Sequence, residues 1–173
     1  MEIRVEERSH CVVAVGSTQF DELIAAVDCA PFYDLLAAAG IKAILFQVGS
    51  GRYLPLNYPR DDSLVVEVHR FIVLEDYINS AALLISHCGA GTLLEGLRAD
   101  SNPVRVAVIN SSLMDNHQAE LADQLDAEGL IIKAEPQTVL SKLKTVLKGY
   151  AKPKRFPART DGLLVSIIDE MLC

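Results

Sequence analysis

The chain lacks tryptophan, has only four cysteines, and contains no apolar run approaching the ~20 residues that cross a bilayer. Each absence excludes something. Cys11, Cys29, Cys88 and Cys173 have neither close pairing nor metal-ligand spacing, so no disulfide framework or zinc site is expected and a reduced, cytosolic setting is. The opening residues, Met-Glu-Ile-Arg-Val-Glu-Glu-Arg, carry acids and lack the apolar core of a signal peptide. Internal repeats and low-complexity segments are missing as well. A net charge of −7 gives no support to nucleic acid as the main partner. Gly-Lys-Ser/Thr after four spacers, the phosphate loop of many NTPases, occurs nowhere.

What is present is an ordinary globular balance. Half of the 173 residues are apolar and 23% are charged, enough for one domain with a full hydrophobic core and at most a small appendage. Short β-branched runs at residues 11–15, 41–48, 64–68, 81–85, 104–109 and 130–133 read as strands. Helical spacing is found over 20–27, 32–39, 74–80, 92–98, 114–128 and from 135 or 136 to 148. Residues 52–63 hold two prolines and two aspartates and read as a loop. Strands that alternate with helices predict a Rossmann-like parallel sheet covered on both faces. Ligands of such sheets sit at the carboxyl ends of the strands.

The informative stretch is Ile-Ser-His-Cys-Gly-Ala-Gly-Thr-Leu-Leu-Glu, residues 85–95. An apolar strand ends in a turn at Gly89 and Gly91 and opens a helix from Thr92. A helix start presents unpaired N–H groups and partial positive charge, and glycine lets an anion approach them. Thr92 adds a hydroxyl donor, and Glu95, about one turn on, can accept from a sugar hydroxyl. Phosphate plus hydroxylated sugar points to a nucleotide. The plainer reading, a tight strand-to-helix connection, stays open on this stretch alone. The dinucleotide fingerprint does not fit: its sixth position is Leu94, and Gly96 comes two residues late. Polar turns after the first, fourth and fifth strands would converge on one edge, which favours the nucleotide reading. The tail divides off by composition. Residues 1–148 are read as the ligand-binding α/β domain and 149–173 as a basic, proline-containing linker with a final amphipathic helix over 162–172. No acid occurs between Pro136 and Thr160, a stretch with seven lysines and arginines. That face is either merely solvated or a surface for a partner or acidic head groups.

Three segments, residues 13–24, 85–95 and 113–122, carry a family resemblance in the right order and spacing. Val-Ala-Val-Gly-Ser-Thr, Ser-His-Cys-Gly-Ala-Gly-Thr and Met-Asp-Asn-His-Gln together resemble the catalytic subunits, of glycosyltransferase family 28 type, of the eukaryotic UDP-N-acetylglucosamine transferase that builds dolichol-linked oligosaccharide. They are similar also to the C-terminal half of the bacterial glycosyltransferase that makes lipid II. The resemblance covers roughly residues 10–148. It implies the C-terminal half of a GT-B fold and an inverting, metal-independent transfer of GlcNAc from UDP-GlcNAc to dolichol-diphosphate-GlcNAc. It further implies a separate membrane-anchored partner subunit that completes the cleft, at the cytosolic face of the endoplasmic reticulum. No cofactor beyond the donor is implied.

Residue by residue, the resemblance gives Gly16, Ser17 and Thr18 a glycine loop near the phosphates and acceptor. Gly89, Ala90, Gly91 and Thr92 would hold the diphosphate, and Glu95 the ribose hydroxyls. Asn116, His117 and Gln118 would contact GlcNAc or the diphosphate. His87 either touches substrate or orients the turn. No side chain stands out as the general base, which the partner would then supply. The chain contains no Asp-x-Asp, the metal-holding motif of the other large glycosyltransferase fold. Ala14 stands where the family commonly has threonine, Cys88 where it has alanine, and Asp100-Ser101-Asn102-Pro103 where it has Gly-Lys-Pro. A non-catalytic nucleotide-sugar-binding or scaffold module of the same fold is the alternative expectation.

Overall fold

The structure is a computed structural model, and it describes residues 10–110, 116–149 and 154–156. Six strands form one sheet: β1 (His10–Ala14), β2 (Ala43–Gln47), β3 (Val65–His69), β4 (Leu83–His87), β5 (Val104–Val108) and β6 (Ile132–Ala134). Their order is β3-β2-β1-β4-β5-β6, and every neighbouring pair is parallel. The helices are α1 (Asp21–Val27), α2 (Ala30–Ala38), α3 (Glu75–Ser80), α4 (Ala90–Arg98), α5 (Asn116–Ala127) and α6 (Val139–Gly149). The expected Rossmann-like architecture is what forms.

Burial on both faces explains the composition of the strands. Cys11, Val12, Val13 and Ala14 are all fully buried, because alternate residues of β1 enter opposite layers. Cys11 and Val13 join Leu83 and Ile85 of β4 against α1, α2 and α6, through Leu23, Ile24, Phe32, Leu36, Val139 and Leu143. Val12 and Ala14 face the other way, with Leu45, Leu84 and Ile78 of α3. A third cluster packs Leu93 and Leu97 of α4 and Ala122 and Leu125 of α5 on Ala107 of β5. Gly96 has a packing role under α4: a Cβ on it would lie 2.5 Å from the Leu84 side chain, which would have to shift to admit it.

Three boundaries differ from the sequence reading in ways that matter. β4 runs over Leu83–His87 rather than 81–85, because Ser86 and His87 continue the ladder opposite Ala14 and Val108. Pairing with strands on both sides outweighs the polarity of the two residues. α4 starts at Ala90 rather than Thr92, since the Leu93 N–H donates to the Gly89 carbonyl at 3.0 Å and closes the first turn around Ala90, Gly91 and Thr92. Gly91 is therefore helical and only Gly89 turns the chain. Similarly, β6 begins at Ile132, as Leu130 and Ile131 enter the third cluster instead of the ladder.

After α6 the basic segment returns to the domain. Phe156 packs on the third cluster, and the Lys154 carbonyl accepts from Arg105 at 2.8 Å. The final helix expected over 162–172 lies outside the described residues.

Candidate functional site

The strand order turns between β1 and β4, so the connections leaving their carboxyl ends run to opposite sides and open a crevice between them. Gly16 follows β1 in the left-handed region at φ +66°, where glycine has no Cβ to clash. Its missing side chain matters for a second reason: a Cβ there would lie 2.7 Å from Cε1 of His87. A Cβ on Gly89 would also run into the His87 ring. The two glycines thus flank the imidazole of the last β4 residue.

Buried Gln47, the last residue of β2, holds this turn in place. The Gly16 N–H donates to its Oε1 at 2.8 Å, and its Nε2 donates to the carbonyls of Gly16 at 2.6 Å and Arg70 at 2.7 Å. Ser17 and Thr18 are exposed beyond this clamp, and the Thr18 hydroxyl donates to the Val15 carbonyl at 2.8 Å. Behind them the Gly49 turn packs so closely that a Cβ would strike the Thr18 carbonyl. Asn110, just past β5, donates to the Gln19 carbonyl at 3.4 Å and so ties that strand end to the same loop.

Across the crevice α4 begins. Gly89 is its N-cap in extended conformation, and no side chain caps the helix. Uncapped N–H groups of a first turn form an anion site. Ala90 and Gly91 are exposed, Thr92 is half-buried, and a Cβ on Gly91 would meet no protein atom within 4 Å. Packing therefore does not demand glycine at 91, while close approach of a ligand would. Glu95 lies exposed one turn on, its carboxyl pKa raised first by partial burial and then by the Glu75 carboxylate at the start of α3.

The His87 imidazole is pushed to lower pKa by burial, which the backbone of Ala14 offsets only in part. It is accordingly neutral at pH 7. Its Nδ1 is buried and makes no well-formed hydrogen bond; the buried Ser86 hydroxyl is likewise unpaired. Next to it the Cys88 thiol, desolvated and pushed up to about 11, stays protonated.

The structure thus gathers Gly16, Ser17, Thr18, His87, Gly89, Ala90, Gly91 and Thr92 at one strand edge, with Glu95 one helical turn away. Asn116, His117 and Gln118 form the first turn of α5, but their side chains lie outside what is described. Sequence reasoning missed Gln47 and Arg70. The one available signal was an amide side chain closing the apolar run Ala-Ile-Leu-Phe-Gln. Among the described residues no group of three or more His, Cys, Asp or Glu could hold a metal ion, and no helix is long and apolar enough to cross a membrane.

Comparison with known proteins gives the chain's family and fold. Residues 10–162 match the glycosyltransferase family 28 C-terminal domain. The UDP-N-acetylglucosamine transferase subunit ALG13 of Mus musculus is 41% identical over 118 residues, which are 68% of this chain and 10% of the mouse protein. Its namesake in Yarrowia lipolytica is 30% identical over 165 residues, covering 92% of this chain and 82% of that protein. Cryptococcus neoformans has another at 28% identity, covering 93% of this chain and 95% of that protein. The chain spans about a tenth of the length of the mouse and human relatives. Among solved structures, the solution structure of ALG13 superposes with a TM-score of 0.64 at 22% identity, over 98% of this chain and 99% of that one. MurG of Acinetobacter baumannii gives 0.59 at 22% identity, over 82% of this chain but 42% of the other. The fold is that of one half of a GT-B glycosyltransferase. On the match over residues 10–162, the chain belongs to the glycosyltransferase family 28 C-terminal domain family.

Proposed function

We propose that the chain is the donor-binding subunit of an N-acetylglucosaminyltransferase that moves GlcNAc from UDP-GlcNAc to dolichol-diphosphate-GlcNAc. The observation that carries this reading is the convergence of the β1 turn and the uncapped start of α4 on the crevice between β1 and β4. Its support in the comparisons is the name of the relatives, UDP-N-acetylglucosamine transferase subunit.

In this reading the diphosphate lies over the first turn of α4, against the N–H groups of Ala90, Gly91 and Thr92. The Thr92 hydroxyl adds a donor, and Glu95 accepts from the ribose. The bond between the anomeric carbon and the diphosphate oxygen breaks as the acceptor oxygen forms the new one on the opposite face. Negative charge then collects on the leaving UDP, where fixed backbone donors stabilise it without reorganising. Neutral His87, buffered from protonation by its depressed pKa, offers a ring edge to the substrate rather than a positive charge. Asn116, His117 and Gln118 are assigned to the GlcNAc hydroxyls or the diphosphate, from the family resemblance of their motif. The acceptor proton passes to a general base in a membrane-anchored partner subunit, which supplies the other half of the GT-B cleft and holds the pair at the cytosolic face of the endoplasmic reticulum.

Transfer from UDP-GlcNAc to a dolichol-diphosphate-GlcNAc analogue, measured with this chain alone and with the partner, tests the reading. Activity with the pair and none with the chain alone is expected. A folded pair that binds UDP-GlcNAc and transfers nothing would reduce the chain to a nucleotide-sugar-binding module and overturn the proposal.

A further inference from the structure

We infer that Gln47 is the positioning residue of the site: one buried amide sets the glycine turn after β1 against His87 and so fixes where the donor can sit. The inference rests on the donor-binding reading above and goes beyond it, because Gln47 lies below the crevice rather than in it.

Three facts carry it. Gln47 is 3% exposed, so its amide polar atoms must find partners within the protein. Both backbone groups of Gly16 are engaged by that one amide, the N–H at 2.8 Å and the carbonyl at 2.6 Å. The same Nε2 also donates to the Arg70 carbonyl at 2.7 Å, so the ends of β1, β2 and β3 are tied at a single point.

Paired contacts to the N–H and the C=O of one residue fix the orientation of both peptide planes, which a single hydrogen bond would not. Gly16 at φ +66° has many accessible conformations, and the clamp selects the one that lays its Cα against the imidazole. The neighbouring ties finish the frame. Val48 and Gly49 donate to the carbonyls of His69 and Arg70 at 2.9 and 3.0 Å, and the Arg70 guanidinium donates to the Gly51 carbonyl at 2.9 Å. Arg70 therefore gives its main-chain oxygen to Gln47 and its side chain to the turn that underlies Thr18. A loop held this way is preorganised for a ligand; left unheld, it must be ordered at the expense of binding.

The test uses the full 173-residue chain in complex with the partner subunit, with UDP-GlcNAc as the varied substrate. Gln47→Met keeps the volume and removes all three contacts. Gln47→Glu keeps an acceptor for the Gly16 N–H and loses both donations. Each variant is expected to melt as a folded protein, with KM for UDP-GlcNAc raised at least about tenfold and kcat/KM lowered by about 10- to 100-fold. A role confined to stability would instead lower the yield of folded complex and leave KM unchanged in what remains, and that result overturns the inference. Should neither variant fold, the unmutated chain decides. Its Gly16 amide is expected to exchange slowly and to shift in NMR spectra when UDP-GlcNAc is added. A fast-exchanging, unshifted Gly16 amide would sink the idea. An unmutated complex that neither binds UDP-GlcNAc nor transfers from it removes the donor-binding reading and this role together, whereas an active complex with unaffected variants removes this role alone.

Discussion

Arg105 and His87 lie on neighbouring strands at opposite ends of the sheet, and their surroundings are opposite in kind. Arg105, near the start of β5, is 1% exposed and its pKa is pushed down to about 10 by burial, yet it stays charged at neutral pH. Its guanidinium donates to the carbonyls of Leu130, Gly96 and Lys154 and to Oδ1 of Asn102, at 2.8 to 3.3 Å. His87, at the end of β4, is wedged between two glycines with its Nδ1 unpaired. One cation makes four hydrogen bonds that close the bottom of the domain. The other side chain is kept neutral and only partly satisfied at the top. Polar capacity is left open at the carboxyl edge, whereas at the amino edge it is used for stability.

The comparison is most severely tested at Arg105. Replacing it by methionine removes this donor from the carbonyls of Leu130, Gly96 and Lys154 and from Oδ1 of Asn102, the first two in buried residues, at a cost of about 2–4 kcal/mol. Urea unfolding of the variant checks the loss, and UDP-GlcNAc affinity of the folded fraction should not change. A variant as stable as the parent would mean that water replaces the guanidinium without cost.

Gly91→Val should do the reverse. A side chain at 91 meets no protein atom, so melting should move by only a few degrees while transfer falls by at least about 10²-fold through blocked approach to the α4 start. Full activity in this variant would remove α4 from the site.

Glu95 gives a finer contrast through pH. Its raised pKa means it takes up a proton at higher pH than an ordinary glutamate near 4.5, so donor affinity should weaken on acidification earlier than ordinary carboxylate behaviour implies. Removing the second cause with Glu75→Gln should move that midpoint downward. An unmoved midpoint would take the coupling away, and Glu95→Ala retaining full transfer would take away the residue's role.

The smallest effect concerns His87 and stability. Its folded pKa lies below the unfolded value of about 6.5. As pH falls through that value the unfolded chain binds a proton that the folded chain refuses, so stability declines until the folded pKa is passed. His87→Gln should flatten the decline in melting temperature as pH falls below about 7. An unchanged slope would assign it to other groups.

Much of the site was legible because its signals are local. Gly16 and Gly89–Thr92 follow apolar runs, and a strand that ends in glycine and opens a helix can be read from a dozen residues. The alternation of elements likewise announced a parallel sheet. Exact ends were harder: Ser86 and His87 look like loop residues until Ala14 and Val108 are placed beside them. Asp28 is comparable. In sequence it is one more acid, but folded it is 3% exposed and accepts from Tyr33, Tyr53 and the main chain of Leu56 and Asn57, which anchors the 52–63 loop. Nothing in Val-Arg-Val-Ala-Val points to the carbonyls that hold Arg105, because Leu130 and Lys154 lie far along the chain.

The sequence by itself therefore determined the element types, the parallel α/β class and the glycine turns, since propensity, periodicity and steric freedom act over a few residues. Tertiary structure alone decided the strand order that brings β1 beside β4, the helical state of Gly91 and the clamp of Gln47 on Gly16. Those depend on partners separated by tens of residues, as the sequence separation of 31 from Gly16 to Gln47 illustrates, and only folding brings such groups within hydrogen-bonding distance.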